Sequence, residues 1–202
     1  WLLFNYKRYY ASISYATYSK PSSFLARTSS NNKTLFVHSN YYMAYDKDIN
    51  KIKDKVDLII VSMHWGEEYV TTPNNSQKQI AKELSDMGVN LVIGNHAHMI
   101  EPVEKINNTL VFYALGNFIA AQDTNDKQTG ALVTLNINKD KNGKITFSNV
   151  KANLLYAYFK GSHNFKVYPY TKLNNSLLNN YETYYNKYKG VLTKYTNIVE
   201  VE

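Results

Sequence analysis

Three histidines stand where chemistry could be done: His64, His96 and His98. Each follows an apolar run. Asp57-Leu58-Ile59-Ile60-Val61-Ser62-Met63 leads into His64-Trp65-Gly66-Glu67-Glu68-Tyr69, and Val89-Asn90-Leu91-Val92-Ile93-Gly94 leads into Asn95-His96-Ala97-His98. Neutral imidazole is a common ligand for Zn, Mn, Fe and Ni near neutral pH. Two histidines two positions apart in extended backbone project to one side and can grip one ion or two adjacent ones. Gly94 is expected to let the backbone turn sharply just before them. Glu68 and Asn117 offer oxygens for a further ligand or for orienting one. Glu68 is also the candidate catalytic carboxylate, and Trp65, Asn95 and Asn117 are candidates for touching substrate or supporting the ligands. A lone histidine at a strand end more often has a hydrogen-bonded structural role, the reading given to His38 and His163. An H-x-H paired with a third histidine at a parallel strand end favours a metal. Trp65, Tyr69 and Phe118 read as pocket walls or core before ligand-stacking surfaces.

The elements that must position these residues follow from the hydrophobic pattern. Leu58 to Val61 is apolar at every position, as in a strand covered on both faces. Ser76 and Gln79 suggest a capping box; Ile80, Leu84 and Met87 then recur at i, i+4 and i+7, and Gly88 supplies a stop. Strand, helix and strand of this length predict a right-handed βαβ crossover with parallel strands. Both strands then end at one sheet edge, where open α/β sheets keep their ligand sites. The strands are either neighbours or one strand apart.

Around this unit the pattern predicts strands over residues 7–18, 34–38 and 109–113, a loop over 21–33 and a surface helix over 46–55. It also predicts a polar loop over 123–129 and a hairpin, 130–137 and 144–150, turned at Asp140-Lys141-Asn142-Gly143. Alternation runs on weakly to about Tyr158, and Leu177 to Tyr188 recur at helical spacing within a predicted helix over 174–194. The fold class is α/β.

At 202 residues the chain has the length for a real core. Apolar content of 44% with 19% charged residues excludes a disordered chain. No cysteine is present, which rules out disulfides and thiolate metal sites. No apolar run approaches the ~20 residues of a membrane-spanning helix. The chain carries 23 Lys and Arg against 16 Asp and Glu, a net charge of +7 that suits polyanions. The lysines are scattered, so a solvated Lys-rich surface is the plainer reading. There is no G-x-S-x-G elbow, Walker glycine loop or G-x-G-x-x-G, which leaves a metal-based hydrolase as the leading enzymatic reading. The chain starts with Trp rather than Met, so a preceding portion is expected.

At these same residues the sequence resembles a known family. DLIIVSMHWGEEY from Asp57, GVNLVIGNHAHMIEP from Gly88 and YALGNF from Tyr113 closely resemble the bacterial capsule, or poly-γ-glutamate, biosynthesis family of CapA type. That family belongs to the calcineurin-like metallophosphoesterase superfamily. The resemblance implies a two-sheet sandwich with a two-metal centre at strand ends. It matches His64 to the lone metal-binding histidine of the middle motif, and His96 and His98 to the paired histidines of the closing one, one for each metal. It also implies divalent transition ions (Mn, Fe, Zn or Ni), two in the full-length protein. Asn95 stands where the family usually has histidine, and Ala97 where it usually has proline.

The family's earlier motifs, a Gly-Asp pair, an Asn-Leu-Glu and an Asn-Asn-His, do not occur here. The chain therefore resembles the C-terminal part of the family domain and is expected to hold half of a metal site. On this reading residues 1–158 are the C-terminal part of the metallophosphoesterase-like domain, and residues 159–202 are an extension with a Tyr-rich helix packed on it. An isolated chain of this kind is expected to be marginally stable. The resemblance further implies an anionic polymer (polyglutamate or capsule) as partner, other capsule-synthesis membrane proteins beside it, and a place on the outer side of the cytoplasmic membrane. A non-catalytic polymer-binding component is the second reading. A phosphodiesterase or nuclease acting on nucleic acid is a distant third.

Overall fold

A computed structural model describes residues 2–3, 10–16, 35–39, 45–161 and 163–202. In chain order the elements are β1 (Leu2–Leu3), β2 (Tyr10–Ala16), β3 (Leu35–Ser39), α1 (Tyr45–Ile52), β4 (Leu58–Trp65), α2 (Asn75–Asp86) and β5 (Leu91–His96). There follow β6 (Val103–Ile106), β7 (Thr109–Phe112), β8 (Thr129–Lys139), β9 (Ile145–Lys160), β10 (His163–Pro169), a 3-10 turn (Tyr170–Lys172), α3 (Tyr181–Leu192) and β11 (Val199–Val201). The strands form two sheets: a six-stranded one in the order β3-β2-β4-β5-β7-β6, and a five-stranded one in the order β1-β8-β9-β10 with β11 on β9. The α/β class is thus realised as two sheets around a central βαβ unit.

β4 explains the layering. Its alternate side chains point to opposite faces. Leu58 and Ile60 enter one core, with Leu91, Leu110 and Phe112 of the same sheet and Val133, Ala152 and Leu154 of the other. Ile59, Val61 and Met63 enter a second core under the helices, against Ile49 and Ile52 of α1 and Ile80, Ala81 and Leu84 of α2. A strand buried on both faces needs an unbroken apolar run, and Leu58 to Val61 supplies one. On the far side α3 adds Tyr188 and Leu192, both fully buried, to the core between the sheets.

The βαβ unit has β4 and β5 as direct parallel neighbours, in register from Ile60 opposite Leu91 to Trp65 opposite His96. The cap of α2 lies two residues earlier than the sequence suggested. Asn74 is the N-cap and Gln77 its reciprocal partner: the Gln77 amide donates to Asn74 Oδ1, and the Asn74 amide to Gln77 Oε1, both at 2.9 Å. Asn74 wins over Ser76 because its backbone is extended at the point where the helix begins.

Four strands escaped the sequence pattern: β1, β6, β10 and β11. β1, β6 and β11 are short; β6 and β10 pair with the strands next to them in the chain, while β1 and β11 pair with strands distant in sequence. The predicted tail helix is shorter, beginning at Tyr181, because Asn174 and Asn175 tie up the preceding backbone amides in turns. The anticipated boundary at 158/159 falls inside β9, which runs through Lys160 and pairs with β10. Of the predicted 7–18 strand, β2 covers residues 10–16, and the predicted 21–33 loop lies outside the described residues.

Candidate functional site

β4 and β5 bring the histidines to one edge. In the register His64 faces Asn95 and Trp65 faces His96. The His64 and His96 rings lie 4.4 Å apart between centroids, and those of His96 and His98 lie 6.5 Å apart. His64 and Asn95 are exposed, while His96 and His98 are half-buried. Although His64 is exposed overall, partial desolvation of its ring, then the neighbouring His96 and His98 imidazoles, holds its pKa below the ordinary value. That keeps the ring neutral, the form that binds metals.

The turn after β5 is made by the histidines themselves. His96 has φ 105° and His98 φ 55°, both in the left-handed region that a side chain rarely adopts. Such backbone costs on the order of 1–3 kcal/mol per residue and tends to collect at functional sites. Gly94, expected to turn the chain, serves a different purpose. A Cβ there would sit 1.8 Å from the Tyr113 carbonyl oxygen and 2.3 Å from Trp65 Nε1. Glycine is required because β7 and the indole press against β5, and Trp65 Nε1 donates to that same carbonyl at 2.9 Å. Trp65 is 1% exposed and supports the strand ends from behind.

Asn117 meets His98. Its Oδ1 lies 2.9 Å from His98 Nδ1, and its Nδ2 donates to the carbonyl oxygens of Lys127 at 2.7 Å and His98 at 3.3 Å. Gly130 makes room for this arrangement, since a Cβ there would fall 2.0 Å from the Asn117 carbonyl oxygen. Tyr69 stacks on His98 with centroids 6.0 Å apart, and its amide donates to the Ala97 carbonyl at 2.7 Å. Lys127 Nζ lies 3.9 Å from the centre of the Tyr69 ring. Glu68 is exposed in the same loop as Tyr69, and the Lys127 pKa is raised chiefly by its hydrogen bond to Asp123, with the charge of Glu68 a lesser contribution.

The fold thus brings His64, His96, His98, Asn95 and Asn117 to one edge, with Trp65 beneath and Glu68 at the rim. Tyr69, expected as a pocket wall or core residue, is exposed and stacks on His98, while Lys127 and the buried pair Gln77–Glu101 were missed in sequence. Gln77 Nε2 donates to Glu101 Oε2 at 2.7 Å, and both residues are 1% exposed. Nothing local marks these residues, since Lys127 sits in a polar loop and Gln77 on a helix of mostly polar composition. His38 and His163 lie in β3 and β10, and their own side chains fall outside what the structure describes.

As a donor set the three imidazoles suit a divalent transition ion. The set is incomplete: among the described residues no group of three His, Asp or Glu side chains closes around one point that could hold an ion. No Asp or Glu precedes Asp46, so residues 1–45 add no carboxylate.

The fold and site define a class: a two-sheet α/β protein with histidines at the carboxyl edge of a parallel β-strand pair. The chain belongs to the bacterial capsule synthesis protein PGA_cap family, which it matches over residues 4–122. It is 38% identical over 96 residues to the PGA biosynthesis protein CapA of Bacillus subtilis, a stretch that is 48% of this chain and 25% of that protein. It is 36% identical over 91 residues to the capsule biosynthesis protein CapA of Bacillus anthracis, 43% of this chain and 22% of that protein. A probable polyglutamine synthesis accessory protein of Mycobacterium tuberculosis is 34% identical over 65 residues, 31% of this chain and 17% of that protein. The matched stretch spans about a quarter or less of the length of these curated relatives.

Proposed function

We propose that this chain is part of a metal-dependent, hydrolase-like component of capsule or poly-γ-glutamate synthesis or export, with His64, His96 and His98 as ligands. Family membership and the names of the CapA relatives support the biological role. The observation that carries the chemistry is the clustering of three imidazoles at one edge, two of them on strained backbone. One or two bound divalent ions there would activate a water and polarise a phosphoester or amide. The remaining ligands would come from elsewhere in the full-length protein. Asn117 orients His98, Trp65 braces the strand ends, and Glu68 and Asn95 face solvent beside the cluster, where a substrate would arrive.

The partner proposed is an anionic polymer, for which the +7 charge is suited. The surroundings proposed are the outer side of the cytoplasmic membrane, beside other membrane proteins of the same machinery. Among the described residues no helix is long and apolar enough to cross a membrane. The incomplete ligand set favours one competing reading, a component that binds polymer without cleaving it.

Elemental analysis of the full-length protein tests the ligand assignment. His96→Ala is expected to lower bound Mn, Fe, Zn or Ni by half or more while the protein stays folded. Unchanged metal content in that variant would remove His96 from the ligand set.

A further inference from the structure

The family match ends at Gln122, one residue before the loop that touches Asn117. What lies beyond holds that loop in place through a set of tyrosines. The Tyr156 hydroxyl, on β9, lies 3.0 Å from Asn125 Oδ1 and 2.7 Å from Gln128 Oε1. Tyr188, on α3, donates to Asp126 Oδ1 at 2.7 Å, where Lys187 Nζ also binds at 2.6 Å. Tyr184 accepts from Asn125 Nδ2 at 3.4 Å, and Tyr170 meets the Thr129 hydroxyl at 2.8 Å. The loop backbone is tied as well, the Ala157 amide donating to the Gln128 carbonyl at 2.8 Å.

The held loop presents the Lys127 carbonyl to Asn117, and a carbonyl can only accept. The carbonyls of Lys127 and His98 both face the Asn117 amide nitrogen, which spends its two hydrogens on them. A flipped amide would set oxygen against oxygen. The Asn117 oxygen therefore points at His98 Nδ1, and that nitrogen must carry the proton for the 2.9 Å contact to be a hydrogen bond. The lone pair of the ring is left on Nε2.

We infer that the C-terminal segment, residues 123–202, is a positioning device for the candidate site: its tyrosine-held loop fixes the Asn117 amide and, through it, the Nδ1–H tautomer of His98. The tautomer is set by this chain's own hydrogen bonds, so the inference stands whether or not an ion binds.

Long-range 15N–1H correlation spectra of the metal-free full-length protein, above the imidazole pKa, read the tautomer directly. The His98 signals are assigned by their loss in His98→Gln. Wild type should show a pyrrole-type Nδ1 and a pyridine-type Nε2. Asn117→Leu should abolish that preference. Tyr156→Phe with Tyr188→Phe keeps both rings in the core but removes the hydroxyls, and should raise the Nε2–H population roughly fivefold, the factor expected from one lost hydrogen bond. Asn125→Ala with Asp126→Ala removes acceptors from the loop side without touching the core and should do the same. Tyr185→Phe, whose hydroxyl serves the Val201 carbonyl away from the loop, should change nothing. Unchanged His98 signals in both double variants, or an equal shift in Tyr185→Phe, would overturn the inference. Metal content is a separate readout, so failure of the ligand assignment cannot be mistaken for failure of the clamp.

Discussion

Glu101 is a buried carboxyl whose ionisation is moved into the neutral pH range. Burial pushes its pKa up to about 7, although the Gln77 amide donating to it pulls the other way. Its Oε1 is buried and finds no hydrogen-bond partner among the described residues. A protonated carboxyl suits such a place, whereas a carboxylate is penalised. The folded pKa lies above the unfolded one, so the folded state holds the extra proton. The stability this confers is present in full below the unfolded pKa and is lost as pH rises through about 7. Over that window the loss can reach about 3 kcal/mol. Glu101→Gln keeps the shape and removes the charge, so its urea midpoint should fall less than that of wild type between about pH 5 and about pH 8. Equal falls in the two proteins would show that Glu101 ionises without cost.

Among the elements, α2 connects the two histidine-bearing strands, and its start depends on Asn74. The Asn74 side chain and that of Gln77 each satisfy an amide that the first turn would otherwise leave unpaired. Asn74→Ala is expected to cost about 1 kcal/mol in chemical unfolding. Gln77 also reaches Glu101, so part of that cost should vanish in the Glu101→Gln background if the pair is coupled.

The helix shows what a sequence makes legible. Its apolar face and its stop follow from i, i+4 periodicity and Gly88. The choice between Asn74 and Ser76 as cap depends on the path of the incoming chain, which the pattern does not encode. The strands of the βαβ unit were legible because burial on both faces demands continuous apolar residues. β11 is defined by pairing with β9 far back in the chain, which no local signal reveals. Likewise His64, His96 and His98 stood out through residue type and position, while Lys127 and Tyr188 enter through contacts spanning 58 and 62 positions, from Tyr69 and from Asp126.

For the whole molecule, the net charge of +7 decides how an anionic polymer would be met. The lysines are spread along the chain, and several are already paired, such as Lys82 with Asp86 and Lys187 with Asp126. A field of this kind attracts a polyanion from many directions and is screened by salt. Attraction by a few buried contacts would be screened much less. If the scattered charge is what recruits the polymer, affinity of the full-length protein for poly-γ-glutamate should fall steeply as salt rises from about 10 mM to about 150 mM, over which the Debye length shrinks from ~30 Å to ~8 Å. Titration calorimetry at several ionic strengths measures this, and a salt-independent affinity would assign binding to specific contacts instead. His96→Ala separates the two readings of function in the same assay. A protein that only binds polymer should keep both its affinity and its salt dependence in that variant, because one neutral imidazole contributes little to the field. A protein that draws polymer into a metal site should lose affinity on the same substitution, and the lost part should be the salt-resistant one.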